Sequence, residues 1–94
     1  MLEETVKNKY DGLVENWTSK VTDFLVGKTV KRIRYMTAQE VDDLGWTKAN
    51  VVIEFTDGHW IVPMMDDEGN DAGALWTSQG KELSIIPVIS RGYL

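Results

Sequence analysis

The chain has 94 residues, of which 43% are apolar and 10% aromatic, a size and composition typical of one globular domain with a modest core. No cysteine is present, which excludes a disulfide framework and a thiolate zinc site and favours a reducing cytoplasm. We therefore predict a single cytoplasmic domain spanning residues 1–94. No run approaches the roughly 18 apolar residues of a membrane span, so we expect no membrane partner.

The net charge of -5 argues against a general nucleic-acid binder, which would carry a basic patch on one face. Residues 28–37 nevertheless form a short basic strip within this acidic sequence. The composition thus disfavours a nucleic-acid partner, while a local phosphate contact by the strip stays open.

Apolar residues at steps of three and four predict an amphipathic helix over residues 3–26. Gly27 is suited to the left-handed position that ends a helix. At about 1.5 Å per residue this helix is longer than a small sheet needs, so its N-terminal turns are expected to overhang and meet another copy.

Residues 29–36 are rich in β-branched and aromatic side chains and predict a strand, with Ile33 and Tyr35 on one face and Arg32 and Arg34 on the other. The following Thr37-Ala38-Gln39-Glu40 is a capping box, which predicts a short helix over 38–44 closed by Gly45.

Residues 50–55 and 59–65 predict a hairpin, because the Asp57-Gly58 pair between them is favoured in two-residue loops. That loop would place Phe55 opposite Trp60, and it would set Ile53 against Val62 and Val51 against Met64. Farther along, residues 75–76 are expected to form one helical turn. Residues 83–89 read as an apolar strand in which Pro87 lies at an edge or a bulge.

Together these elements predict an α+β fold. A long N-terminal helix is expected to pack on a mostly antiparallel sheet of about four strands, with one short helix as an excursion.

The segments Arg34-Tyr35-Met36-Thr37, Leu44-Gly45-Trp46 and residues 66–75 form a pattern that resembles short proteins of bacteria and their phages. The resemblance covers about the central half of the chain. No activity is assigned to such proteins, so it implies no catalytic residue.

The acidic segment 66–71 has a composition that does not suit a hydrophobic core. Oxygen ligands in a glycine-containing turn suit calcium or magnesium, and the candidate ligands are Asp66, Glu68, Asn70 and Asp71. The spacing does not match an EF-hand, because glycine and glutamate are absent from the required sixth and twelfth positions.

Two structural interpretations compete with a metal site. In one, the acids bind nearby amides while Gly69 and Gly73 supply positive φ angles, and Asn70 or Asp71 caps the following turn. In the other, the acids form ion pairs with Arg32 and Arg34.

The four tryptophans divide by position. Trp17 and Trp60 lie on predicted apolar faces and are expected in the core. Trp46 and Trp76 lie beside turns, so they are our candidates for a contact surface, together with Arg32 and Arg34 of the basic strip. The alternative for the arginines is a solvated strand face paired with Glu54 or with the acidic segment.

Nucleophilic catalysis is disfavoured, because the chain has no cysteine and its one histidine, His59, lies beside a predicted turn. We expect a small non-enzymatic protein-interaction or regulatory domain without a cofactor, whose protein partner can be a second copy in a homodimer. A divalent-cation-binding protein that uses segment 66–71 is the alternative. A third is an enzyme whose site is shared between subunits.

Overall fold

The structure is a computed structural model that describes residues 12–94. The helices are α1 (Leu13–Leu25) and α2 (Ala38–Leu44), and a 3₁₀ turn (Arg91–Tyr93) ends the chain. The strands are β1 (Val30–Tyr35), β2 (Lys48–Ala49), β3 (Val51–Phe55), β4 (Trp60–Ile61), β5 (Leu75–Trp76), β6 (Ile85–Ile86) and β7 (Ile89–Ser90). Helices combined with antiparallel strands confirm the predicted α+β class.

The described strands divide into three antiparallel groups instead of one sheet of about four strands. The largest has the order β1-β3-β4, and two-stranded ladders join β2 to β7 and β5 to β6. In the β1-β3 register, Ile33 lies opposite Ile53 and Arg34 opposite Val52, which confirms the predicted faces of β1. Pro87 separates β6 from β7, because proline cannot donate to a ladder.

Helix α1 does not pack on the sheet, so that prediction is wrong. It ends before Gly27, which has the predicted left-handed φ of 85°. None of its residues is buried. It meets the rest of the chain near its last turn, where the Phe24 ring lies 5.3 Å from the His59 ring. The predicted helical residues 3–11 lie outside the described part of the chain.

Helix α2 has the ends that its sequence predicts. The Thr37 hydroxyl accepts from the Glu40 amide at 3.2 Å, and the Glu40 carboxylate accepts from the Thr37 amide at 2.9 Å. At the other end, Gly45 adopts a left-handed φ of 72°, and the Trp46 amide donates to the Val41 carbonyl at 3.0 Å. This is a Schellman motif, and it carries Trp46 back towards Val41.

The β3-β4 hairpin has a three-residue loop, and the predicted register is wrong by one residue. The Phe55 amide donates to the His59 carbonyl at 2.9 Å, and Gly58 has a φ of 91°. Glu54 consequently lies opposite Trp60, and Ile53 opposite Ile61. A turn followed by a left-handed glycine is the usual geometry of such loops. Because side chains alternate along a strand, the shift moves Trp60 to the other face of the sheet.

The predicted helical turn at residues 75–76 is also wrong, since Leu75 and Trp76 pair with Ile86 and Ile85 in the β5-β6 ladder. The Thr77 amide donates to the Ser84 carbonyl at 2.8 Å and continues the ladder towards its loop. Strand pairing satisfies the backbone groups that a single helical turn would leave open.

The core lies between α2, β2, β3 and the loop after residue 66. Its buried members are Met36, Val41, Trp46, Ala49, Val52 and Ala72. Asn50 is buried beside them, where its side-chain amide donates to the Pro63 carbonyl. The core therefore belongs to the central part of the chain, and α1 contributes nothing to it.

Candidate functional site

A groove of about 580 Å³ lies on the α2 side of the three-stranded sheet. Its apolar walls include Met36, Leu44, Trp46, Val52, Trp60 and Met64. Its charged residues are Arg34, Glu40, Asp43 and Glu54. This volume and apolar lining are typical of binding sites.

The groove follows from the register of the sheet. Arg34 and Val52 are paired across β1 and β3, and Glu54 and Trp60 across β3 and β4, so all four side chains share one face. Helix α2 borders that face and contributes Leu44 from its last turn. Trp60 is 62% exposed, so the groove presents a large aromatic surface to solvent.

Arg34 organises the charged rim. Its Nη1 and Nη2 donate to the two Glu40 carboxylate oxygens at 2.8 and 3.0 Å, and its Nε donates to Glu54 at 3.2 Å. Paired donors of this kind fix both partners in orientation as well as in charge. The contacts with Glu40 raise the pKa of Arg34 above its ordinary value. The pKa of Glu54 is lowered by its hydrogen bond from Arg32 and, to a smaller extent, by that from Arg34.

Glu40 is the rim residue whose titration can be followed most directly. The Arg34 guanidinium and then the Thr37 amide hold the pKa of Glu40 at about 2, below its usual 4.5. A lowered carboxylate pKa stabilises the fold above the unfolded pKa, and that stability is lost as the pH falls from 4.5 towards 2.

We expect Glu40→Gln to lower the free energy of unfolding at pH 7 by about 1 kcal/mol. The effect is this small because the carboxylate is partly exposed and solvent screens its interaction with Arg34. The difference from the wild-type chain should shrink between pH 4.5 and 2, as urea unfolding at several pH values will measure. Glu82→Gln is the matched control on an exposed residue, and it should stay within about 0.5 kcal/mol. A constant difference down to pH 2 would contradict the assignment.

Of the four residues predicted at a contact surface, two line the groove. Arg34 lies on its rim, and Trp46 lies in its floor with only 8% of its surface exposed. Arg32 is outside the groove and donates to Glu54 at 2.7 Å. Trp76 is 87% exposed on β5. A role for these four residues in binding a partner stays a prediction.

The acids of segment 66–71 accept from nearby amides, as the first of the two structural interpretations predicts, but residues 75–76 are a strand, so there is no turn there for Asn70 or Asp71 to cap. Asp66 accepts from the amides of Glu68 and Asn70 at 3.0 and 3.4 Å. Asp71 accepts from the amides of Thr47 and Lys48, both at 3.2 Å. The side-chain amide of Asn70 lowers the pKa of Asp66, and the Thr47 hydroxyl lowers the pKa of Asp71, with these backbone amides adding to both effects.

The two glycines of this segment act differently. Gly69 has the predicted positive φ, at 73°. Gly73 does not, and the prediction is wrong there. A Cβ on Gly73 would lie 2.5 Å from the Met64 carbonyl oxygen, so this glycine is required by close backbone approach.

The candidate metal ligands Asp66, Glu68, Asn70 and Asp71 do not converge as a set of four. Asp66 instead accepts from the Asn70 side-chain amide at 2.8 Å, and Asp71 turns towards residues 47 and 48. Within residues 12–94, no group of three or more acidic or histidine side chains could hold a metal ion. The predicted pairing of these acids with Arg32 and Arg34 is wrong, because Glu54 and Glu40 occupy both arginines.

A second apolar surface lies on α1. We call it the α1 stripe, and it consists of Leu13, Val14, Trp17, Val21 and Phe24. These side chains are 36 to 73% exposed, although their spacing puts them on one face of the helix. Such patches mark interaction surfaces when they are contiguous.

Trp17 and Trp60 are not in the core, so both predictions are wrong. Trp17 is 56% exposed on the α1 stripe, and Trp60 forms the open wall of the groove. Gly58 could have indicated the exposed position of Trp60, because a left-handed glycine at the end of a three-residue loop gives the observed register. The spacing of α1 indicates an apolar face but not what covers it.

No helix within residues 12–94 has the length and apolar character needed to cross a lipid bilayer. Comparison of the chain with protein-family models, with curated proteins and with solved structures gave no match.

Proposed function

We propose that this chain is a non-enzymatic protein-interaction domain that binds its partner through the α1 stripe and the groove. The observation that carries the proposal is the α1 stripe itself. A helix of 13 residues gains little stability from its own hydrogen bonds in water and usually depends on packing of its apolar face. A protein partner would supply that packing.

The charge on the rest of α1 favours a protein over an anionic lipid surface. Helices that lie on membranes carry lysine and arginine on their polar face. The polar side of α1 instead carries Glu15 and Asp23, with Lys20 at the edge of the stripe. Lipid headgroups of negative charge would be repelled from that side.

The rim of the groove supports binding over acid–base chemistry. Glu40 and Glu54 are both bound by arginines, which lower their pKa values and keep them ionised at neutral pH. A general acid requires a raised carboxylate pKa near the working pH.

Position-specific photo-crosslinking tests the proposal. Trp17 is replaced by p-benzoylphenylalanine in the full chain, expressed in cells of the source organism, and the cells are illuminated. We expect a covalent adduct with a protein, because position 17 lies at the centre of the α1 stripe.

The matched control carries the same crosslinker at Ser19, an exposed residue on the opposite face of α1. Adducts from position 17 and none from position 19 would support the proposal. Equal labelling at both positions, or no protein adduct at position 17, would contradict it.

A further inference from the structure

We infer that the chain forms a two-fold homodimer in which α1 of each copy lies in the groove of the other copy. This inference rests on the proposed function and names the partner and the two surfaces that meet. In this dimer a second copy of the chain covers both the α1 stripe and the groove.

The two surfaces have complementary shapes. An apolar helix face that lies in an apolar groove is a recurrent mode of protein recognition, in which a few side chains spaced along one face act as anchors. Leu13, Trp17, Val21 and Phe24 follow one another at steps of four, four and three. The groove offers Leu44, Trp60 and Met64 as exposed apolar contacts.

The charges at the two surfaces are also complementary. Lys20 is at the edge of the α1 stripe, and its ammonium lies 5.0 Å from the centre of the Trp17 ring. The residues that line the groove include three carboxylates, those of Glu40, Asp43 and Glu54. Two guanidiniums pair with them, Arg34 on the rim and Arg32 from outside the groove, which leaves one negative charge in excess. A tryptophan and a lysine would thus enter a groove with an aromatic wall and an excess of negative charge.

The position of α1 explains why a second copy is the occupant. The end of α1 is held at the hairpin loop, where Phe24 contacts the His59 ring edge to face, and Lys28, just beyond the helix, pairs with Asp57. Trp60, which follows His59, is already a wall of the groove. Because consecutive side chains along a strand lie on opposite faces, Phe24 on His59 holds α1 on the face away from the groove of its own copy. A second copy can place its α1 in that groove, and two copies that each use both surfaces close into a two-fold dimer.

Sedimentation equilibrium of the purified full chain tests the inference. We expect a mass of twice 10.7 kDa at micromolar concentration. Trp17→Glu removes the α1 contact, and Trp60→Glu removes the groove contact. Each substitution should weaken the dimer by about 30-fold or more, the effect of losing a central aromatic contact.

Mixing the two variants gives the decisive measurement. Trp17→Glu has a damaged α1 and an intact groove, whereas Trp60→Glu has the reverse. A mixed dimer keeps one of the two α1–groove contacts, so the mixture should contain more dimer than either variant alone. Pairing of two α1 helices with each other would not be rescued by mixing, and Trp60→Glu alone would remain dimeric.

Three controls keep the test independent of folding. Leu44→Glu is a second groove variant at an exposed residue and should act like Trp60→Glu. Ser19→Glu and Gln79→Glu add the same charge at exposed positions outside both surfaces and should leave the dimer intact. Circular dichroism should be the same for all variants.

Two results would overturn the inference. One is a monomer at all concentrations up to millimolar, and the other is a dimer that Trp60→Glu and Leu44→Glu leave unchanged. In either case, an adduct between position 17 and a different protein would still support the proposed function. Absence of that adduct would remove the proposed function as well.

Discussion

Replacing Trp46 with alanine should cost about 3–5 kcal/mol of unfolding free energy, the range measured for removal of large buried aromatics. Natural domains have about 5–15 kcal/mol in total, and one of this size lies towards the lower end. Trp46→Ala should therefore be largely unfolded in urea concentrations that leave the wild-type chain folded.

The size of this effect follows from the position of Trp46. Its ring lies in the core beside Val41, and its indole Nε1 donates to the Gly69 carbonyl at 2.8 Å. One side chain thus joins the end of α2 to the acidic segment. Trp46→Phe keeps most of the apolar volume and removes the hydrogen bond, so it should cost about 1–2 kcal/mol.

Trp76→Ala is the matched control, because it removes the same side chain from a site that is 87% exposed. Its unfolding free energy should differ from that of the wild-type chain by no more than about 0.5 kcal/mol. Urea titrations followed by circular dichroism measure all three variants. Equal midpoints for Trp46→Ala and Trp76→Ala would contradict the assignment of Trp46 to the core.

Local sequence signals predicted local structure well in this chain. The capping box at Thr37 and the glycines after α1 and α2 act within a few residues, and each is found as predicted. These signals depend on backbone hydrogen bonds and φ angles that neighbouring residues alone decide.

The errors arose where a local pattern had to predict a distant partner. The apolar face of α1 has to be buried against another surface, and the sequence does not say whether that surface belongs to the sheet or to a second chain. Asp57-Gly58 occurs in loops of two and of three residues, and that one-residue difference decides which face receives Trp60.

The groove could not be predicted because it depends on that same register. Had Trp60 faced Phe55, the apolar wall and the carboxylate of Glu54 would lie on opposite sides of the sheet. The observed pairing of Glu54 with Trp60 brings them together. A single extra loop residue thus creates the surface on which the proposed function depends.

Asp71 is the second residue whose replacement should have a large effect. Its Oδ1 accepts from the amides of Thr47, Lys48 and Ala72 at 3.2, 3.2 and 2.8 Å, and its Oδ2 accepts from the Thr47 hydroxyl at 2.5 Å. Alanine would leave these donors without their acceptor. Because hydrogen bonds to charged groups contribute more than neutral ones, we expect Asp71→Ala to cost about 2–3 kcal/mol.

The pH dependence separates the charge of Asp71 from its shape. The Thr47 hydroxyl, followed by the backbone amides, lowers the pKa of Asp71 below its usual 3.8. The folded state therefore gains stability from this carboxylate above pH 3.8 and loses it as the pH falls below that value. Asp71→Asn keeps the shape and cannot titrate, so its deficit against the wild-type chain should be present at pH 7 and should shrink below pH 3.8.

Asp67→Asn is the matched control, since it makes the same change at an exposed aspartate of the same segment. Urea unfolding at pH 7 and at pH 3 should show a deficit for Asp71→Asn that depends on pH and none above about 0.5 kcal/mol for Asp67→Asn. If the two variants had the same stability at pH 7, the acidic segment would not be held to β2 by Asp71. Trp46 fastens the same segment through Gly69, so the two contacts should support each other. The double variant Trp46→Phe with Asp71→Asn should then lose less than the sum of the single losses, because breaking either contact already weakens the other.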